Sequence, residues 1–93
     1  MNIVYADEFV KQLRKLPKNI QLRAVKQEAL FRENFFYPSL HTEKLILRSK
    51  ELWSIRVDKK YRIILRFAGD DAELVYFLAI GEHDWIYKYT NRL

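Results

Sequence analysis

Three arginines fall within eleven residues, Arg56, Arg62 and Arg66, and after the next apolar run come His83 and Tyr87. Guanidinium groups present a planar fork of N–H donors that suits phosphate oxygens. An imidazole can move a proton near neutral pH. A tyrosine can stack on a base or donate a hydrogen bond. Together these side chains make up a set able to cleave a phosphodiester without a metal. The same residues also describe a plainer arrangement: arginines on the solvated side of a sheet, and a His-Asp dipeptide forming a turn in which Asp84 caps a helix.

The elements that would carry them follow from hydrophobic periodicity. Residues 2–6 read as a short strand. Asp7 is expected to cap a helix running to about Leu16, with Phe9, Leu13 and Leu16 on one stripe. Pro17 separates it from a second helix that runs to about Asn34. This helix is apolar on two sides, Ile20, Ala24 and Phe31 against Leu22, Val25 and Ala29, and is expected to be contacted on both. After an irregular connection at 35–41, which holds His41 as a structural or solvent-exposed residue, the period changes to two. Strands are expected at 44–48, 52–57, 60–68 and 73–80, the last three joined by tight turns as an antiparallel meander. The tail from Glu82 is expected to hold one short helical turn. The fold class is α+β: an N-terminal strand and a helix hairpin on one face of a mainly antiparallel sheet of four or five strands.

Alternation then assigns faces. Trp53, Ile55 and Val57, with Tyr61, Ile63, Leu65 and Phe67, form the side beneath the helices. Leu52, Ser54 and Arg56, with Arg62, Ile64 and Arg66, form the opposite side, expected to be open. On this reading Arg62 points away from the core and its removal leaves the fold intact. His83 comes at the exit of the last strand, near the edge of the arginine face.

At 93 residues the chain is expected to form one domain, residues 1–93. Its hydrophobic fraction of 49% fits a packed core rather than disorder. Without cysteine, disulfides and thiolate chemistry are excluded, and a reducing, cytoplasmic location is expected. No apolar run reaches membrane-span length, and the N-terminus lacks the basic region of a signal peptide. Scattered carboxylates match no metal-ligand spacing, and neither a glycine-rich phosphate loop nor a serine nucleophile setting is present, so no cofactor and no metal is expected. The net charge of +5 favours a polyanionic partner, either nucleic acid or an acidic protein segment.

The strand order, "PSLHTEKL", the stretch W-S-I-R-V-x-x-x-Y-R-I-I from Trp53 to Ile64, and G-x-H-D-x-x-Y from Gly81 to Tyr87 resemble the RelE/ParE superfamily, the toxins of type II toxin–antitoxin modules, over nearly the whole chain. Members that resemble RelE cut mRNA in the ribosomal A site; members that resemble ParE poison DNA gyrase and lack the catalytic residues. The resemblance implies a cognate antitoxin as partner, and the ribosome and mRNA as targets in the nuclease branch. It places Arg62 against the scissile phosphate and Arg56 at a basic position of the preceding strand. Ser54 replaces a second lysine of RelE. His83 stands where RelE has an arginine and other nuclease members use histidine, and Tyr87 matches a C-terminal tyrosine. Arg66, Lys44 and Arg48 would hold RNA backbone. The alternatives are a gyrase inhibitor without chemistry and an inactive homologue.

Overall fold

The computed structural model describes residues 1–47 and 50–90; the side chains at 46, 47, 50, 87, 89 and 90 lie outside that description. The chain runs β1 (Asn2–Tyr5), α1 (Asp7–Arg14), α2 (Lys18–Glu33), β2 (Glu43–Leu47), β3 (Lys50–Arg56), β4 (Tyr61–Ala68), β5 (Leu74–Glu82) and α3 (His83–Thr90). Short 3-10 turns sit at Pro38–Leu40 and Asp70–Ala72.

Five strands form one sheet in the order β1-β5-β4-β3-β2. The four strands from β2 to β5 are an antiparallel meander, one strand more than the sequence implied, and β1 joins β5 in parallel. The turn from β3 to β4 is fixed by Asp58, whose Oδ1 accepts the Lys60 and Tyr61 backbone N–H groups, each at 2.8 Å. A carboxylate that bonds its own turn is a common hairpin device.

One face of the sheet carries the main core. Phe9 of α1 and Ile20, Ala24 and Phe31 of α2 pack on Ile55, Ile63, Leu65, Val75, Phe77 and Ile80. The α2 stripe at 20, 24, 27 and 31 is one helical face, as periodicity requires. Its one polar member, Gln27, is 4% exposed. Its amide donates to the Ser39 carbonyl at 3.2 Å and the Arg56 carbonyl at 2.8 Å, and so pins the helix to the end of β3.

Several details depart from the sequence reading. Helix α1 stops at Arg14, and its N-cap is Ala6 rather than Asp7, which is already the first helical residue. The other apolar side of α2 is uncovered: Leu22 and Val25 are 64% and 63% exposed. The second sheet face is not open either. The tail forms the eight-residue helix α3, and Ile86 and Trp85 pack there with Leu45, Leu52, Ile64, Leu78 and Ala79 in a second, smaller core. Two apolar residues per turn of α3 and a leucine on each of β2 and β3 are sufficient reason for the tail to fold back.

A β-bulge helps build that second core. Ile64 pairs with Ala79 but Leu65 pairs with Phe77, leaving Leu78 as the extra residue. The extra residue reverses the parity of the strand. Phe77 faces the helix hairpin, Leu78 and Ala79 both contribute to the second core, and Gly81 comes opposite Arg62. A Cβ on Gly81 would lie 2.3 Å from Cε3 of Trp85, so the indole rests directly on this glycine.

Candidate functional site

Arg56 and Arg62 are direct cross-strand partners of β3 and β4. Two like charges so placed repel unless other groups hold or neutralise them. The structure supplies such groups on each side. Arg62 is only 9% exposed. Its Nε donates to Ser54 Oγ at 2.9 Å, and its Nη2 donates to the His41 carbonyl at 2.7 Å and the Ser54 carbonyl at 3.4 Å. The Glu43 carboxylate lies 3.9 Å from the same Nη2 and 3.5 Å from Ser54 Oγ. Glu43 and Ser54 are themselves cross-strand partners, which explains why they share this face. Arg62 therefore does not stand free on an open surface, as alternation alone had implied; it is tied into the sheet.

Arg56 is more accessible. Its Nε donates to the Asp58 carbonyl at 3.2 Å, and its Nη1 lies 3.4 Å from Nε2 of His41. His41 thus meets both arginines, one through its ring and the other through its carbonyl. It does so from a left-handed backbone conformation, φ 43° and ψ 48°, at the end of the Pro38–Leu40 turn. Non-glycine residues adopt this region infrequently and often at functional positions. The sequence reading set His41 aside as a loop residue. Its proximity to two guanidinium groups depends on that turn, for which periodicity carries no signal.

The remaining candidates spread out. Arg66 sits four residues along β4 from Arg62, roughly 13 Å at strand rise. Its guanidinium lies 4.9 Å from the centroid of Tyr76, its cross-strand neighbour on β5. Lys44 lies on the other face of the sheet from the arginines. It pairs with Trp53 on the helix side of the sheet and forms a 3.2 Å ion pair with Glu51. Arg48 lies outside the described residues. His83 is the first residue of α3, its backbone N–H bonded to the Lys60 carbonyl at 2.8 Å, and its Nδ1 is 3.6 Å from the Asp84 carboxylate. This places the ring, which is exposed, at the end of the sheet where the Arg56–Arg62 pair also lies. Tyr87 belongs to the same helix, but its side chain is outside the described set.

A cleft adjoins this patch on the helix side. It has a volume of about 610 Å³ and lies between the first half of α2, His41 and the β3–β4 turn, with Arg23, Arg56 and Lys59 among its walls. Chemically, then, the sheet end offers paired guanidinium groups, two histidines and the carboxylates of Glu43 and Asp84, with a cationic recess beside them.

Comparison with known proteins identifies the lineage of this arrangement. The family model described as ParE toxin of type II toxin–antitoxin system, parDE, matches residues 3–87. Among solved structures, the chain is similar to the YoeB/ParE toxin from Agrobacterium tumefaciens, with a TM-score of 0.74 at 14% identity over 89% of this chain and 99% of the other. It is also similar to a chain of the archaeal RelE–RelB complex from Pyrococcus horikoshii OT3, with a TM-score of 0.69 at 18% identity over 86% and 91%. A third is a chain of the E. coli DinJ–YafQ toxin–antitoxin complex, with a TM-score of 0.68 at 18% identity over 92% and 96%. No curated protein sequence matches the chain. At these identities the solved structures establish the shared fold, and the family match over most of the sequence establishes descent: the chain belongs to the ParE toxin family, among the RelE/ParE toxins of type II toxin–antitoxin systems.

Proposed function

We propose that the chain is a toxin that inhibits translation by cutting mRNA on the ribosome, with its activity held in check by a cognate antitoxin. The observation that carries this reading is the convergence of Arg56 and Arg62 on His41 at the sheet end where His83 also stands. In such a cut the RNA 2′-hydroxyl oxygen attacks the adjacent phosphorus. The 2′-O–P bond forms and the P–5′-O bond breaks, leaving a 2′,3′-cyclic phosphate and a 5′-hydroxyl. One group accepts the 2′-hydroxyl proton and another supplies a proton to the leaving oxygen. His83, at the strand exit, handles one of these transfers, and His41, beside the arginine pair, is placed for the other. Arg56 and Arg62 offset the charge that develops on the phosphorus oxygens, usually the largest single contribution to such catalysis. Tyr87 orients or stacks on a base, and Arg66 holds backbone phosphate. The ribosome would supply the reactive geometry of the strand.

A purified translation system tests this. Wild-type protein should cut mRNA only when ribosomes are present and leave 5′ fragments ending in a 2′,3′-cyclic phosphate. His83→Gln should slow single-turnover cleavage by about 10²–10⁴-fold, the usual weight of general acid–base catalysis. A loss below about threefold would return His83 to the role of a helix-start residue.

One observation favours a second reading. Arg62 is buried and its donors are engaged by the protein itself, as in a structural residue. On that reading the chain is a gyrase inhibitor acting through its surface. Inhibited supercoiling with intact mRNA would select it. In either case an antitoxin is expected to cover the basic face or to displace the C-terminal tail, consistent with relatives solved as RelB and DinJ complexes.

A further inference from the structure

We propose that the cleft between α2 and the β3–β4 turn binds one nucleotide unit of an RNA strand, with Arg23, Arg56 and Lys59 on its phosphate. This deepens the RNA reading above and rests on it; the new element is a second contact zone, on the helix side of the sheet edge, that includes residues of α2.

The first argument is charge. Arg23, Arg56 and Lys59 line the cleft, and Asp58 is the sole acidic residue in its walls. Asp58 Oδ1 accepts the Lys60 and Tyr61 backbone N–H groups, which hold that carboxylate in the turn. Neither Arg23 nor Arg56 has a carboxylate partner among the described residues. Three cations against one carboxylate leave the walls net positive, and an anion between them lowers the remaining repulsion.

The second argument is preorganisation. Arg23 donates its Nε to the Val57 carbonyl at 3.3 Å, and Arg56 donates its Nε to the Asp58 carbonyl at 3.2 Å. Adjacent carbonyls of one turn thus anchor both guanidinium groups by the same nitrogen. The carbonyl of Arg56 is in turn gripped by the buried Gln27. Such anchoring lowers the ordering cost of binding an oxyanion.

The third argument is size and lining. A volume of about 610 Å³ falls within the range of small-molecule sites and well exceeds what a bare phosphate needs. Asn19 and Ser39, both exposed, offer polar edges to a ribose or base. Arg56 links the cleft through His41 to Arg62, so a strand lying over the arginine pair can place its next nucleotide here.

The test uses a 2′-O-methyl oligoribonucleotide, which lacks the free nucleophile and so reports binding apart from cleavage. Fluorescence anisotropy at low salt should show Arg23→Gln and Lys59→Gln each weakening binding by roughly three- to tenfold, with the slope of log K against log salt falling by about 0.7 per lost contact. Lys11→Gln, the same charge change on α1, should stay within about twofold. Adenosine monophosphate should compete better than inorganic phosphate. Thermal melting of each variant verifies the fold, and Lys59, exposed in the turn, carries little structural risk. Double-variant affinity within twofold of wild type would overturn the proposal, as would equal competition by inorganic phosphate, or binding of a glutamate-rich peptide with none of the phosphate probes bound. Because no bond is cut in this assay, its failure is separate from a failure to cleave mRNA on ribosomes.

Discussion

Replacing Arg62 by alanine should destabilise the protein, against the expectation from alternation that this side chain is dispensable to the fold. The truncation removes donors to Ser54 Oγ, the Ser54 carbonyl and the His41 carbonyl. Hydrogen bonds involving a charged group contribute about 1.5–3 kcal/mol each when isolated, but they share one desolvated guanidinium whose burial opposes them. Glu43 is 47% exposed and rehydrates when its partner leaves, so the full cost of an orphaned buried charge does not apply. The net is about 2–3 kcal/mol, which for a domain of this size lowers the melting temperature by roughly 8–20 °C. Urea denaturation followed by far-ultraviolet circular dichroism would read it as a lower midpoint at unchanged m-value. A change below about 0.5 kcal/mol would refute the structural role of Arg62, since surface substitutions stay within that range. The consequence for toxicity assays is direct. Loss of growth inhibition in Arg62→Ala counts as chemistry only if the variant is folded at the assay temperature.

Gly81→Ala should lose about 1–3 kcal/mol and shift the tryptophan emission, because its Cβ collides with the Trp85 ring; an unchanged spectrum and midpoint would show that α3 yields freely. Trp53→Ala should cost about 3 kcal/mol, the low end for a large aromatic, because Trp53 is only partly buried while packing on Phe36 and Phe67; urea midpoints check this. Gln27→Leu should cost about 1–3 kcal/mol by orphaning the Ser39 and Arg56 carbonyls, measured in the same way. Tyr5 has its pKa raised above 10.0 first by burial and then by its hydrogen bond to Glu28. A raised folded value means stability that is whole below pH 10 and is lost as pH climbs through the folded pKa, so Tyr5→Phe should flatten the alkaline arm of a stability–pH curve.

The helix hairpin, the strand succession and the two sides of β3 and β4 were legible because each rests on periodicity over several residues. Arg56, Arg62 and Arg66 were correctly placed on one side for that reason. The face of Lys44 was not legible, because β2 pairs it with Trp53 and a single strand carries no sign of its register. The parity change at Leu78 was invisible: a bulge is an insertion relative to a partner strand, and the partner is not adjacent in sequence. The eight-residue α3 was underestimated because its apolar residues, Trp85 and Ile86, make sense only against Leu45 and Leu52 from another part of the chain. His41 was overlooked since its position depends on a left-handed turn residue rather than on any repeat.

The placement of β1 also governs how the chain can fold. Asn2 to Tyr5 find their partners in Leu74 to Phe77, far along the chain. Until β5 exists, β1 has nothing to pair with, and Phe9 and Phe31 lack Phe77, the ring that both contact. Loop-closure entropy on this scale favours slow completion. A growing chain stopped before Leu74 would hold β4 with one open edge, beside the position that β5 should fill. Such a fragment lacks Val75, Phe77 and Ile80 of the first core and Ala79 and Ile86 of the second. Closure of the sheet therefore waits on a meeting of segments far apart in the chain, and a copy cut before β5 is open to proteolysis at its unpaired edge rather than a weaker version of the whole molecule.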